Sequence, residues 1–217
     1  MGLAIFDLDN TLIAGDSDYL WGQFLVEKGI VDREYYQREN KRFYQEYETG
    51  DLDIFEFLQF SFKPLSENSM TDLYSWREEF VKEKIHQLML PKAKELIKQH
   101  RSKGHTLLII TATNHFVTKP IADILGIDNL LATDPEIIDN RYTGKVSGVP
   151  CFQEGKVTRL QSWLAENNIN MSESWFYSDS HNDLPLLKIV KNPIVVDADK
   201  TLAQVALENG WPCISLR

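Results

Sequence analysis

Three observations predict an α/β fold with a doubly wound parallel sheet and a helical insertion. Short apolar runs alternate with helix-length segments through most of the chain. Polar or acidic residues follow each run at once. One stretch, 14–88, breaks the alternation and carries aromatics at helical spacing. Runs this short suit strands, and strands joined by helices make βαβ units around a buried sheet. Ligands in such sheets bind beyond the carboxyl ends of the strands, so the residues just after each run matter most.

The first run, Leu3-Ala4-Ile5-Phe6, predicts a buried strand. After it, Tyr19, Phe24 and Leu25, then Tyr35, Tyr36, Phe43, Tyr44 and Tyr47, recur at helix-like intervals. Phe55, Phe57, Leu58 and Phe62 continue the pattern, as do Leu73, Trp76, Phe80 and Val81. These side chains predict the core of a small helical domain over 14–88, or in part a contact between copies. The α/β core then comprises 1–13 and 89–217. Within it, strands are expected at 106–110, 130–133, 174–177 and 193–196, with helices at 91–103, 115–125, 156–167 and 201–209.

Composition narrows the function. The 217 residues include 23 basic and 32 acidic side chains, a net charge of −9, and 43% are hydrophobic. An acidic chain lacks the basic footprint of a nucleic-acid binder. No apolar run approaches the roughly 20 residues of a membrane helix, so no membrane partner is expected. The segment MGLAIFDLDN shows no tripartite leader pattern, and Cys151 and Cys213 are too few for a disulfide scaffold. A cytoplasmic location is the expectation.

The strongest chemical signal is Phe6-Asp7-Leu8-Asp9-Asn10-Thr11 at the end of the first run. Two carboxylates leaving a buried strand repel each other, and a hard divalent cation would relieve them. Alone, the pair reads sooner as a solvated loop or helix cap than as a metal site. It has company: Thr111 ends another apolar run, Lys156 opens a helical pattern, and Ser178-Asp179-Ser180-His181-Asn182-Asp183 follows a third run. Asp, Thr, Lys and Asp in that order resemble the four motifs of the haloacid dehalogenase superfamily of phosphohydrolases. The insertion between the first two motifs resembles the helical cap of the phosphoserine-phosphatase type.

The resemblance implies a Rossmann-like core and a Mg²⁺-dependent reaction on a small phosphate monoester. It makes Asp7 the nucleophile and Asp9 the general acid and base. Thr111, Lys156 and Asn182 would hold the phosphoryl group or orient the fourth motif. Asp7, Asp179, the Asp9 carbonyl and Asp183, the last through a water, would hold the metal. Asp16, nine residues after Asp7, matches the acid that recognises the substrate amine. The arginine that reads a substrate carboxylate is missing: Gln59 or Phe60 falls there, with Lys63 the nearest cation. An amine-binding acid without that arginine points to a cationic ester lacking a carboxylate. The segments TATNHFVTKPIA and DNRYTGKVSGVPCFQEGKV also resemble a bacterial subfamily associated with histidinol-phosphatase activity. Phosphoserine or another small metabolite remains the alternative, and a phosphotransferase a further one.

Four local expectations complete the reading. Serines replace both glycines of the usual fourth motif, which would crowd a tight turn. Asp18, more than Asp16, suits an N-cap before Tyr19-Leu20-Trp21, and Thr113 and Asn114 suit a cap for the next helix. His86, His100 and His105 read as surface residues. His115 and His181 read as candidates to face the substrate.

Overall fold

The computed structural model describes residues 2–217. Its strands are β1 (Leu3–Phe6), β2 (Thr106–Asn114), β3 (Asn129–Ile138), β4 (Arg141–Ser147), β5 (Ser174–Ser178), β6 (Asn192–Val196) and β7 (Cys213–Ile214). They form one sheet in the order β4-β3-β2-β1-β5-β6-β7, parallel throughout except where β4 runs against β3. β1 is central, and successive strands are laid down first on one side of it and then on the other. The switch point therefore lies at the carboxyl end of β1, between β2 and β5.

Alternation of side chains across the sheet explains its two-sided burial. Ala4, Phe6, Leu107, Ile109, Tyr177 and Val196 face one core. Leu3, Ile5, Leu108, Ile110, Phe176 and Val195 face the other. Helices α5 (Pro91–Ser102) and α6 (His115–Leu125) cover the first face through Ala93, Ile97, Val117 and Ile121. Helices α7 (Glu154–Asn167), α8 (Leu184–Leu187) and α9 (Lys200–Asn209) cover the second through Leu160, Leu186 and Leu202. The doubly wound class is as the sequence predicts.

Between β1 and α5 the chain forms α1 (Ser17–Glu27), α2 (Arg33–Thr49), α3 (Ile54–Glu67) and α4 (Met70–Phe80). Val81–Ile85 then widens to a π-helix before a short 3₁₀ turn. The segment departs and returns at one place: the Ala14 amide donates to the Leu88 carbonyl at 2.8 Å, and Ile13 bridges Met89. Trp21 stacks on Phe24 at 5.6 Å and meets Phe80 and Phe116 edge-on at 5.3 and 5.7 Å. Such pairs contribute about 0.5–1.5 kcal/mol each beyond simple burial. Phe116 belongs to α6, so these helices pack against the sheet's own cover. Not every aromatic is core: Tyr35 and Phe55 are exposed.

Three features depart from the sequence reading. β3 extends past 130–133 and pairs with β4 through a tight turn in which Asp139 and Asn140 both adopt positive φ. Asp-Asn is suited to that conformation, and this is the signal that marks the hairpin. Residue 100 is the second departure, since His100 is buried rather than at the surface. It sits on the inner side of α5, where its Nε2 meets the Tyr177 hydroxyl at 2.8 Å and its Nδ1 meets His105 Nδ1 at 2.8 Å. Third, β2 runs past the expected 106–110 to Asn114.

Burial, with the neighbouring His105 and Lys103, lowers the His100 pKa from 6.5 to about 4. A folded-state pKa below the unfolded value means that stability falls as pH drops below about 6.5, until both states are protonated near pH 4. His100→Gln, which keeps a partner for Tyr177, should remove this component. Urea unfolding between pH 7 and 4 should show the wild type losing up to about 3 kcal/mol relative to the variant. Parallel pH profiles would contradict the assignment.

Candidate active site

The site lies at the switch point. Asp7 leaves β1 with its amide donating to the Tyr177 carbonyl at 2.9 Å, so β5 places it. Lys156, in the first turn of α7, donates to Asp7 Oδ1 at 2.8 Å and to Asp183 Oδ1 at 2.6 Å. All three groups are buried. Lys156 reaches them because the chain turns closely before α7. A Cβ at Gly155 would lie 2.0 Å from the Pro150 carbonyl oxygen, so only glycine fits. Burial opposes the charge on Lys156, yet Asp183 and Asp7 outweigh it and hold the ammonium charged. Burial also pushes Asp7 up to about 7 against the pull of Lys156, with Asp183 and Asp9 adding to the rise.

Asp9 is held from three directions. Ser17 donates its amide to Oδ1 at 2.6 Å, while the hydroxyls of Thr113 and Thr111 donate to Oδ2 at 2.9 and 3.3 Å. Burial raises its pKa, and these hydrogen bonds oppose the rise. Thr111 and Thr113 share one face of β2 because side chains alternate along a strand. That two-residue spacing is the signal that identifies Thr113 as a site residue rather than a helix cap. Asn114 does cap α6, accepting from the Val117 amide at 3.0 Å.

The fourth motif is built by its serines rather than crowded by them. Ser178 donates to Asp183 Oδ2 at 2.7 Å and accepts from the Ser180 amide at 3.1 Å. Ser180, extended at φ −110°, accepts from the Asn182 amide at 3.2 Å. Neither serine needs the left-handed conformation, so no glycine is required. Thr11 donates to Asp179 Oδ1 at 2.9 Å, and burial beside Asp7 raises the Asp179 pKa well above the carboxylate range.

The structure brings Asp7, Asp9, Asp16 and Thr111 to one cavity of about 60 Å³, together with Asp18 and Thr113. Tyr19, Asn40, Phe43, Tyr44, Tyr47 and Phe57 wall it from the helical segment. Asp179 and His181 instead line an adjoining, larger opening that Asp16 and Tyr47 share. Asn182 lines neither: its amide nitrogen donates to the Tyr47 carbonyl at 2.9 Å and its oxygen accepts from Gln153 at 2.9 Å. His181 is held by Asp199, at 2.9 Å from Nδ1, and His115 lines neither space. The helix-capping role falls on Asp16, not Asp18. Asp16 Oδ1 accepts from the amides of Asp18 and Tyr19 because it stands one residue before α1.

Among the described residues, no three Asp, Glu, His or Cys side chains converge as a ready-made metal shell. The donors on hand are hard oxygens, and buried carboxylates outnumber the single lysine among them. This charge excess fits a hard divalent ion that keeps several waters.

A model of the haloacid dehalogenase-like hydrolase family matches residues 4–188. The chain belongs to that family. A histidinol-phosphatase of Neisseria meningitidis serogroup C (strain 8013) is 42% identical over 219 residues, covering 99% of each chain. A solved structure of a protein of unknown function from Bordetella pertussis Tohama I is 40% identical with a TM-score of 0.93, covering 99% of this chain and 98% of that one. A substrate-bound phosphoserine phosphatase has the same fold, with a TM-score of 0.72 at 19% identity over 98% of this chain and 92% of that one. This haloacid dehalogenase-like hydrolase is a phosphatase.

Removing one member of a buried ion pair leaves an uncompensated charge and costs about 3–5 kcal/mol. Lys156→Met should therefore unfold in less urea than the wild type, by that amount at pH 7 without added metal. A change under about 1 kcal/mol would contradict the pairing described.

Proposed function

We propose that the protein hydrolyses a phosphate monoester through an aspartyl-phosphate on Asp7, and that its substrate is histidinol phosphate. One observation carries the substrate reading: the cavity holds Asp7, Asp9, Asp16 and Asp18 between aromatic walls, and no Lys, Arg or His lines it among the described residues. Such a space suits a cationic, ring-bearing alcohol esterified to phosphate. It offers no cation to a substrate carboxylate among the described residues, which disfavours phosphoserine. Lys63, the nearest cation in sequence, is exposed beside Glu67. The sequence likeness to a histidinol-phosphatase supports the same choice. Aromatic faces attract an imidazolium or ammonium by about 0.5–2 kcal/mol.

The roles follow from the geometry. Asp7 attacks phosphorus, and Lys156 at 2.8 Å favours the ionised carboxylate that attack requires. Asp9, whose pKa burial raises, protonates the leaving alcohol and then takes a proton from the attacking water. Thr111 and Lys156 hold phosphoryl oxygens. Asp16 receives the substrate amine with the oxygen its helix does not use. Asn182 positions rather than binds, by tying the fourth motif to the end of α2. Asp7, Asp179, the Asp9 carbonyl and, through water, Asp183 are the groups that would hold Mg²⁺. Bound there, the ion neutralises charge on the transferring phosphoryl group. Residues 14–88 act as the cap that excludes water during transfer.

Phosphate release measured with Mg²⁺ over histidinol phosphate, phosphoserine and sugar phosphates tests the reading. Histidinol phosphate should exceed phosphoserine in kcat/KM by about tenfold or more, equivalent to about 1.4 kcal/mol. Asp7→Asn should abolish turnover on every ester. Equal rates across the panel would remove the substrate assignment, and an active Asp7→Asn enzyme would remove the mechanism.

A further inference from the structure

Asp18 has no part in the steps above, yet a side chain from a distant part of the sequence holds it in the cavity. Its Oδ1 accepts from Asn114 Nδ2 at 3.1 Å. Asn114 cannot turn its amide over, because its oxygen is committed to the Val117 amide at the start of α6. The last residue of β2 thus presents a fixed N–H to residue 18.

Helix capping does not account for this arrangement. The Asp18 and Tyr19 amides at the start of α1 go to Asp16, while Asp18 itself reaches across to the end of β2. Nor does a cation of the protein neutralise it, since none lines the cavity among the described residues. Asp18 also lines a second recess of about 10 Å³ with Trp21, Tyr36, Asn40, Phe57 and Ser61. Asp7, Asp9 and Thr111 line only the first space, so Asp18 marks the end of the cavity away from the reacting carboxylates. Trp21, only 2% exposed, lines that recess, and its indole N–H has no hydrogen-bond partner among the described residues.

We propose that Asp18, fixed by Asn114, is the specificity-determining acid for the end of the substrate remote from the phosphate. It accepts a hydrogen bond or takes the charge of a second nitrogen there, while Asp16 takes the nearer amine. The preferred class is then a phosphate ester carrying two nitrogen centres rather than one. This inference rests on the functional reading above for which end receives phosphate.

Inhibition of p-nitrophenyl phosphate hydrolysis by two alcohols tests it in the full-length enzyme. Histidinol carries an amine and a nitrogen-bearing ring; phenylalaninol carries the amine and an apolar ring. The wild type should bind histidinol about tenfold more tightly, and Asp18→Asn should bring the two inhibition constants within about twofold of each other. Asn114→Ser, which keeps an acceptor for the Val117 amide but removes the donor to Asp18, should give an intermediate ratio. It also serves if Asp18→Asn fails to fold. A ratio unchanged by both variants, or both alcohols weakened equally, overturns the inference, as does a wild type with no preference between them. If the wild type prefers histidinol but hydrolyses histidinol phosphate no faster than other esters, the substrate reading fails and the role of Asp18 stands.

Discussion

The bridge from Lys156 to Asp7 and Asp183 is the constraint that the rest of the molecule serves. Three charges are taken out of water, at several kcal/mol each, and only close geometry recovers the loss. The partners come from β1, the start of α7 and the loop after β5, which are far apart in sequence. Each needs its own support. β5 pairs with β1 in parallel and accepts the Asp7 amide, Gly155 lets the chain pass close to Pro150, and Ser178 orients Asp183. A small error in any of these would strand a buried charge, so the strand order and the loop before α7 are bound to one another through electrostatics.

The cavity adds a second electrostatic theme of opposite character. Asp7 has a lysine, but Asp16 and Asp18 face aromatic rings and amides. Burial pushes Asp16 up to about 7, with Asp9 adding to the rise. A cationic ligand lowers the energy of such a pair in a way that water reached through a narrow opening cannot. The same segment that supplies these acids supplies the Ser17 amide to Asp9, so Asp16, Asp18 and Asp9 share one rigid support.

Much of the core, and the candidate site residues that converge at the switch point, are legible in the sequence. Buried parallel strands must be apolar on both faces, which makes runs such as Leu3–Phe6 conspicuous, and Asp7 and Lys156 stand at the ends of elements while Thr111 ends an apolar run within β2. Harder to read are features that arise from contacts between distant residues. The buried state of His100 depends on Tyr177 and His105, and the commitment of Asn182 depends on the Tyr47 carbonyl and Gln153. The assignment of the N-cap to Asp16 over Asp18 turns on two residues of register, finer than a periodicity argument resolves. The aromatic spacing in the insertion located its helices but could not say which rings turn to the core and which, like Tyr19, Tyr44 and Tyr47, face the cavity.

The insertion begins and ends at adjacent backbone positions, with Ala14 bonded to Leu88 and Ile13 bridged to Met89. Topologically it is a single long loop, and the entropy of closing a loop grows only slowly with its length. Helices within it can therefore be lengthened, shortened or exchanged with little effect on the register of β1 against β2 and β5. The wall that meets the ligand and the floor that breaks the phosphate bond are thus free to diverge at different rates, and relatives of similar fold can share their chemistry while selecting different molecules.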